Sequence, residues 1–257
     1  MRRALTFACE GAMLVGTLDE ASGSAGLLIV SGGNEIRSGA HRGMAELASL
    51  LAVKGRPVFR FDRRGVGDSE GENRGFRHSG PDIVAALEAF RRQCPQITRV
   101  VAFGNCDAAT ALALHGVSVD ARVLANPWVI APSDDMPPPA AIKHRYAQRL
   151  RDPQAWKALL AGKVDMRKLA KGLGRLAAAK PAAPGSLADK TVRALEASMI
   201  PTTILLATGD ATAIAFADVW RNDPTIVIKR IETASHSFAD ANSYAQLVET
   251  LETRLGG

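Results

Sequence analysis

The sequence predicts an α/β domain in which helices cover both faces of a largely parallel β-sheet. Short apolar runs alternate along the chain with segments of helical spacing, which is the pattern of repeated βαβ units. The length of 257 residues suits one such domain, and 47% hydrophobic with 23% charged residues is a globular composition. In sheets of this kind ligands bind beyond the carboxyl ends of the strands, so we expect the functional residues in the loops that follow the strands.

Seven short apolar runs are predicted to be strands. In chain order they cover residues 15–18, 26–30, 57–61, 99–103, 123–125, 203–207 and 225–231, the first of them in a hairpin. Helices are predicted over 43–53, 81–90, 108–115 and 239–255, where apolar residues recur at helical spacing. Pro81 supports the second helix, because proline is favoured in a first helical turn.

Between residues 127 and 200 the alternation breaks, and we expect a helical insertion there that caps the sheet. This stretch holds three consecutive prolines at 137–139 and a Pro- and Gly-containing linker at 181–185. Its residues 143–200 carry 13 Lys/Arg against 4 Asp/Glu. The predicted domains are therefore a core of residues 1–126 and 201–257 and a basic cap of residues 127–200.

The basic cap is open to two interpretations. A solvated helical face is the simpler one. Peripheral association with an anionic surface is the other, because a local excess of positive charge attracts anionic partners. Nucleic acid is not expected as a partner, since only Tyr146 and Trp156 in the basic stretch could stack on bases.

Cys106 is the strongest candidate for a catalytic group. It lies in Gly104-Asn105-Cys106-Asp107-Ala108, between a predicted strand and a predicted helix, which is the arrangement of a nucleophile elbow with cysteine as the nucleophile. The sharp turn needs small residues two positions before and after the nucleophile, and Gly104 and Ala108 provide them. The helix N-terminus favours a thiolate, so we expect a reactive thiol rather than a structural one.

A cysteine nucleophile needs a base, and His236 is the candidate because, of the five histidines, only this one directly follows a late strand. Asp210, after the preceding strand, is the candidate for the acid that orients it, with a turn residue as the alternative role. Asp218 and Asp223 compete, but they fall in or beyond the next helix. The order Cys106, Asp210, His236 is the nucleophile–acid–base order of such elbow enzymes.

Acyl chemistry at this cysteine also needs N–H donors for a developing oxyanion. The backbone N–H of Asp107, directly after the nucleophile, is one expected donor. Gly33, in the loop after the second predicted strand, is the expected second donor, and Asn34 is the alternative.

No metal or cofactor is expected. In the loop over 62–69, Gly65-x-Gly67 is followed by a misplaced third glycine and by no helix, unlike a dinucleotide site, so we expect that loop to brace the elbow. P-loop and zinc motifs are absent from the sequence. Three cysteines and an N-terminal apolar stretch too short for a secretory signal favour a cytoplasmic protein with reduced thiols.

The loop of residues 62–69 and the elbow of residues 104–109 together resemble the α/β-hydrolase superfamily and, more narrowly, the exosortase A system-associated hydrolases of type 1. Further matching stretches are 32–33 with 39–42, 67–71, 126–128, and 143–146 with 148–150. The resemblance covers nearly the whole chain. It implies an α/β-hydrolase fold similar to that of serine esterases and lipases, with a cysteine at the elbow as in dienelactone hydrolases.

Within that resemblance we expect four residues to bind the substrate, namely Asn34, Trp128, His144 and Tyr146. The elbow departs from the broader superfamily pattern at Asn105 and Ala108, and both departures bear on the shape of the acyl pocket.

Together these patterns predict a hydrolase that cleaves an ester or thioester through a Cys106–His236–Asp210 triad and a thioacyl-enzyme intermediate. The expected substrate is a small-molecule, lipid or saccharide acyl compound. One alternative is an acyltransferase that uses the same cysteine in exopolysaccharide-linked metabolism. The other is a non-catalytic protein that binds a membrane or polyanion through the basic cap.

Overall fold

The computed structural model describes residues 1–130, 183–221 and 223–257. Within these residues one eight-stranded sheet is flanked by six α-helices and two short 3₁₀ helices. None of the helices in these ranges is both long and apolar enough to cross a membrane.

The sheet consists of a parallel body with an antiparallel hairpin at one edge. Its strands are β1 (Arg2–Cys9), β2 (Ala12–Asp19), β3 (Ala25–Val30), β4 (Val58–Phe61), β5 (Arg99–Asn105), β6 (Ala121–Ala125), β7 (Thr202–Ala207) and β8 (Val227–Ile231). Their order across the sheet is β1-β2-β4-β3-β5-β6-β7-β8. β2 pairs antiparallel with β1 and β4, and all other neighbours are parallel. The carboxyl ends of β3 to β8 therefore lie along the same edge.

Helices cover both faces of this sheet. In chain order the described helices are α1 (Gly43–Val53), α2 (Gly80–Gln93), α3 (Asp107–Leu114), α4 (Leu187–Glu196), α5 (Ala211–Val219) and α6 (Ala241–Gly256). Leu47 of α1 and Leu251 of α6 belong to one apolar cluster. Phe90 of α2, Leu112 of α3 and Phe216 of α5 belong to a second cluster. Two separate clusters are what a sheet with helices on both faces requires.

Strand β3 shows why the central strands appear in the sequence as continuous apolar runs. It lies in the middle of the sheet and is buried along its whole length. Leu28 and Val30 join the cluster on one face, while Leu27 and Ile29 join the cluster on the other. Because both faces are covered, no polar alternation is needed.

The predicted fold class is confirmed, and the predicted strands and helices are present with ends shifted by three residues or fewer. The structure also contains a strand that the sequence patterns did not predict, β1. It forms the outer strand of the sheet, where alternate side chains such as Leu5 and Phe7 turn towards the core while Arg2 stays exposed.

Most of the predicted basic cap, residues 131–182, lies outside the described residues, so its role stays a prediction. The last part of the predicted insertion forms α4, which packs against α3. Ala188 and Leu195 of α4 join the apolar cluster beneath the elbow helix. This helix therefore contributes to the core as well as following the insertion.

Candidate active site

Cys106 lies at a sharp turn between β5 and α3. Its backbone angles are φ 60° and ψ −126°, a conformation that residues with a side chain rarely adopt. The turn brings α3 so close to β5 that a Cβ on Gly104 would lie 2.8 Å from the carbonyl carbon of Ala108. Position 104 therefore requires glycine, and the fully buried Ala108 has room for no more than a methyl group. This is the local geometry of a nucleophile elbow.

Cys106 is also the most accessible of the three cysteines. Cys9 and Cys94 are buried, whereas Cys106 is half-buried. Burial, followed by the nearby Asp82 carboxylate, raises the pKa of Cys9 to about 11, and burial raises the pKa of Cys94. Cys106 instead stands at the N-terminus of α3, where the helix dipole stabilises negative charge. Of the three thiols, Cys106 is the one in a position to react.

His236 and Asp210 lie within hydrogen-bonding distance of each other. His236 Nδ1 is 3.1 Å from Asp210 Oδ2. The other carboxylate oxygen of Asp210 accepts the backbone N–H groups of Thr212 and Ala213, both at 3.0 Å. Asp210 is thus the N-cap residue of α5, and the cap holds its carboxylate towards the imidazole. The competing Asp223 instead accepts hydrogen bonds within its own loop.

The electrostatics of the pair favour charge on both groups. Burial raises the pKa of Asp210, but hydrogen bonds from His236 and from the α5 backbone outweigh it and keep that pKa below its ordinary value. The hydrogen bond to Asp210, followed by the hydrogen bond to Cys106, raises the pKa of His236 to about 10 against the effect of burial. The imidazole is therefore protonated at neutral pH, which suits an imidazolium–thiolate pair.

We expect the two hydrogen bonds to contribute unequally to the pKa of His236. Asp210→Asn should lower this pKa most, because the bond to Asp210 is the largest contribution, and Cys106→Ala should lower it by less. An NMR titration of the His236 imidazole in both variants measures the two effects. An unchanged pKa in either variant, or the reverse order, would contradict the arrangement.

Two asparagines hold the main chain of His236 next to the elbow. The carbonyl oxygen of His236 accepts hydrogen bonds from Nδ2 of Asn105 and from Nδ2 of Asn126, each at 3.0 Å. The amide of Asn105 is thus directed to the loop of residues 232–240, which carries His236 and is called the base loop below. The sequence pattern had instead connected Asn105 with the acyl pocket. The patterns did not single out either asparagine for this role. Their positions could have pointed to it, because Asn105 is the last residue of β5 and Asn126 follows β6, at the edge of the sheet where the carboxyl ends of the parallel strands lie.

Gly33 and Asp107, the two predicted oxyanion donors, contact each other. The backbone N–H of Gly33 donates to Asp107 Oδ1 at 2.7 Å, and Arg63 Nη2 donates to the carbonyl of Gly33. A Cβ on Gly32 would lie 2.5 Å from the same Asp107 oxygen, so the contact needs glycine there. In this conformation the N–H of Gly33 is engaged by a carboxylate, which the sequence pattern did not predict.

Of the four residues predicted to bind substrate, two lie within the described ranges. Trp128 lies beside the elbow, and its backbone N–H donates to the carbonyl of Cys106 at 3.2 Å. Asn34, in the loop after β3, is exposed. His144 and Tyr146 lie outside the described residues, so their role stays a prediction.

The loop of residues 62–69 is held by hydrogen bonds to Asp62, whose carboxylate accepts the backbone N–H of Asp68 at 3.1 Å and whose main-chain carbonyl accepts the hydroxyl of Ser69 at 2.7 Å. Asp62 is fully buried and accepts the backbone N–H of Arg37 at 2.6 Å. Through Arg63 the loop supports the Gly33 loop, and the elbow residue Asp107 lies near enough to oppose the lowering of the Arg63 pKa by burial. Across the ranges that the structure describes, no group of three or more His, Cys, Asp or Glu residues is placed to hold a metal ion.

Comparison with protein-family models agrees with this architecture. A model described as "Alpha/beta hydrolase family" matches residues 27–250, which is most of the chain. A search among curated proteins found no match.

Solved structures of similar fold cover nearly the whole chain. The esterase Pf2001 of Pyrococcus furiosus has a TM-score of 0.64 at 13% identity, over 100% of this chain and 91% of the other. The alpha/beta hydrolase GrgF from Penicillium sp. sh18 has a TM-score of 0.64 at 15% identity, over 99% and 98%. An alpha/beta hydrolase from Sphaerobacter thermophilus DSM 20745 has a TM-score of 0.56 at 20% identity, over 96% and 100%. At these identities the likeness concerns the fold.

Proposed function

Because this chain belongs to the alpha/beta hydrolase family, we propose that it cleaves a carboxylic ester or thioester through Cys106, His236 and Asp210, by way of a thioacyl-enzyme. One observation carries the proposal. The elbow bears a half-buried thiol, and the imidazole whose pKa that thiol helps to raise is itself 3.1 Å from a carboxylate. Nucleophile, base and orienting acid are the groups that covalent acyl chemistry needs.

In the first half-reaction the Cys106 thiolate attacks the carbonyl carbon of the acyl group, and a C–S bond forms. The bond from that carbon to the leaving oxygen or sulfur breaks as the imidazolium of His236 gives its proton to the departing alcohol or thiol. The lowered pKa of Asp210 keeps its carboxylate charged at neutral pH, so it stabilises the imidazolium until that transfer.

Acylation changes the role of His236. A sulfur bound in a thioester no longer supplies the charge and hydrogen bond that raise the pKa of His236, so that pKa falls. The imidazole, left neutral by the proton that it gave to the leaving group, then takes a proton from water as the water oxygen attacks the thioester carbonyl. The C–S bond breaks, the carboxylic acid leaves, and the thiolate of Cys106 returns beside the imidazolium of His236.

The subfamily, substrate class and location form the finer part of the proposal. The motifs at residues 62–69 and 104–109 support an exosortase A system-associated hydrolase of type 1, and its proposed substrate is a small-molecule, lipid or saccharide acyl compound. The proposed location is the cytoplasm, where free thiols such as Cys106 stay reduced.

The test is intact-mass measurement after brief exposure to a panel of p-nitrophenyl esters and acyl thioesters. We expect an acyl adduct in the wild type and in Cys94→Ala, a matched control that removes a buried thiol, and no adduct in Cys106→Ala. Peptide mapping should place the added mass on Cys106. An adduct that persists in Cys106→Ala would refute the assigned nucleophile. A wild type that shows neither adduct nor alkylation of Cys106 by iodoacetamide would refute the thiolate chemistry.

The contact between Asp107 and Gly33 leads to a prediction about the oxyanion site. A carboxylate beside the oxyanion opposes its charge and occupies the N–H of Gly33. Asp107→Ala removes both the charge and the acceptor and keeps the backbone N–H of residue 107, so it should raise the rate of acylation about 10-fold relative to the rate of iodoacetamide alkylation, which forms no oxyanion. Stopped-flow acylation and timed alkylation measure the ratio. A ratio that is unchanged or lower would mean that Gly33 is not the donor and would favour Asn34.

A further inference from the structure

Two amide donors converge on one main-chain group of the base loop, the carbonyl of His236. Asn105 Nδ2 and Asn126 Nδ2 donate to this oxygen, each at 3.0 Å. The two side chains also contact each other, with Asn126 Nδ2 at 3.3 Å from Asn105 Oδ1. Since Asn105 directly precedes Cys106 in the chain, these bonds fix the backbone of the proposed base relative to the proposed nucleophile.

Asn126 lies at the centre of this arrangement because it also binds the strand that leads to the proposed acid. Its Oδ1 accepts the backbone N–H of Ala207 at 2.9 Å, and its own backbone N–H donates to the carbonyl of Leu205 at 2.9 Å. The preceding residue, Ala125, accepts the backbone N–H of Cys106 at 2.9 Å. Asn126 and its neighbour thus connect the three segments that carry the nucleophile, acid and base.

The residue type at 126 is determined by its backbone and its partners together. Asn126 is fully buried, and its φ of 43° is in the left-handed region, which asparagine adopts more readily than most residues. A buried amide needs partners for both its oxygen and its nitrogen, and here the oxygen serves Ala207 while the nitrogen serves His236. A side chain without both a donor and an acceptor cannot make these contacts.

We propose that Asn126, together with Asn105, is a positioning residue that sets where the imidazole of His236 lies relative to the sulfur of Cys106. The inference rests on the proposed function, since it assigns a further role within the same reaction. Both asparagines act through the main chain of His236, in contrast to Asp210, which acts on the imidazole ring.

Asn126→Asp tests this role with the smallest change of shape. The aspartate keeps an oxygen for the N–H of Ala207, but it replaces the Nδ2 donor with a second oxygen that repels the carbonyl of His236. Asn105→Asp makes the same change at a half-buried position, where folding is at less risk. Asn242→Asp, at an exposed asparagine of α6, is the matched control.

Two readouts separate positioning from simple structural support. The pH profile of Cys106 alkylation by iodoacetamide reports on the thiolate that the imidazolium stabilises, and an NMR titration reports on the imidazole of His236. We expect both site variants to shift these profiles and to lower kcat for a p-nitrophenyl ester by about 10- to 100-fold, with little change in KM. Asn242→Asp should match the wild type in every readout.

The inference is overturned when the folded variants keep the wild-type alkylation profile and His236 titration, even where their thermal stability falls. Should Asn126→Asp not fold, Asn105→Asp decides the question alone. Should the wild type turn over no ester, the proposed hydrolysis fails, yet alkylation and titration still decide whether the asparagines position His236. The two failures are therefore distinguishable.

Discussion

His236→Gln is expected to lower the steady-state turnover of an ester by about 10⁴-fold. Glutamine is close to imidazole in size but has no group that accepts a proton from water. The thiol of Cys106 should still react slowly with an activated p-nitrophenyl ester, because that leaving group needs no proton. The acyl-enzyme should then accumulate, since its hydrolysis lacks a base. Steady-state kinetics and the intact mass of the variant measure the two effects.

His78→Gln is the matched control for this substitution. His78 is exposed, and its ring contacts the carbonyl of Arg74, so the same change removes an imidazole outside the candidate site. Turnover in this control should stay within about two-fold of the wild type. Normal turnover in His236→Gln, or an acyl-enzyme that clears at the wild-type rate, would exclude His236 as the base.

Asp210→Asn is expected to lower turnover by about 10⁴-fold with little loss of stability. Asparagine is as good an N-cap as aspartate, so the oxygen that accepts from Thr212 and Ala213 can be kept. The neutral amide cannot stabilise an imidazolium, and it can hold His236 in the wrong tautomer. Turnover and the midpoint of thermal unfolding, measured on the same preparation, separate catalysis from folding.

Asp240→Asn provides a control of the same kind. Asp240 is the N-cap of α6 and accepts the backbone N–H of Ser243 at 2.9 Å, and its remaining hydrogen bonds go to the hydroxyl groups of Ser243 and Thr233. The variant should behave like the wild type in turnover, because its carboxylate serves a helix cap and not the imidazole. Equal losses of turnover in Asp210→Asn and Asp240→Asn would mean that Asp210 contributes only as the N-cap residue of its helix.

The fold could be predicted because its central strands differ sharply in pattern from its helices. β3 is buried on both faces and appears as a continuous apolar run, and α1 shows its apolar face at helical spacing, so its bounds of Gly43–Val53 are those predicted. β1 could not be predicted in the same way. As an edge strand it buries only alternate side chains, and Arg2 and Arg3 dominate its start.

The candidate triad could be proposed because each of its members follows a strand. Parallel strands bring their carboxyl ends together, so Cys106, Asp210 and His236 are expected near one another even though they are far apart in the chain. Chain order then suggests the role of each. The contact between His236 and Asp210 is what this topology leads one to expect.

The side-chain contacts around the triad could not be predicted from the sequence. In the sequence, Asn126 is recognisable only as the residue that follows a strand. The adjacent residues do not indicate that its side-chain amide bonds to His236 and Ala207. The same holds for the carboxylate of Asp107, which reaches a glycine more than seventy residues earlier. Such contacts depend on the register of β3, β5 and β6, and periodicity does not specify the register of strands that are buried on both faces.

Cys106 has a conformation, φ 60° and ψ −126°, that costs a residue with a side chain about 1–3 kcal/mol. Glycine at this position would release most of that energy. Cys106→Gly is therefore expected to unfold with a free energy about 1 kcal/mol above that of Cys106→Ala, although both lack the sulfur. Stability and reactivity are opposed at this residue, so a design that optimises stability alone would remove the thiol first.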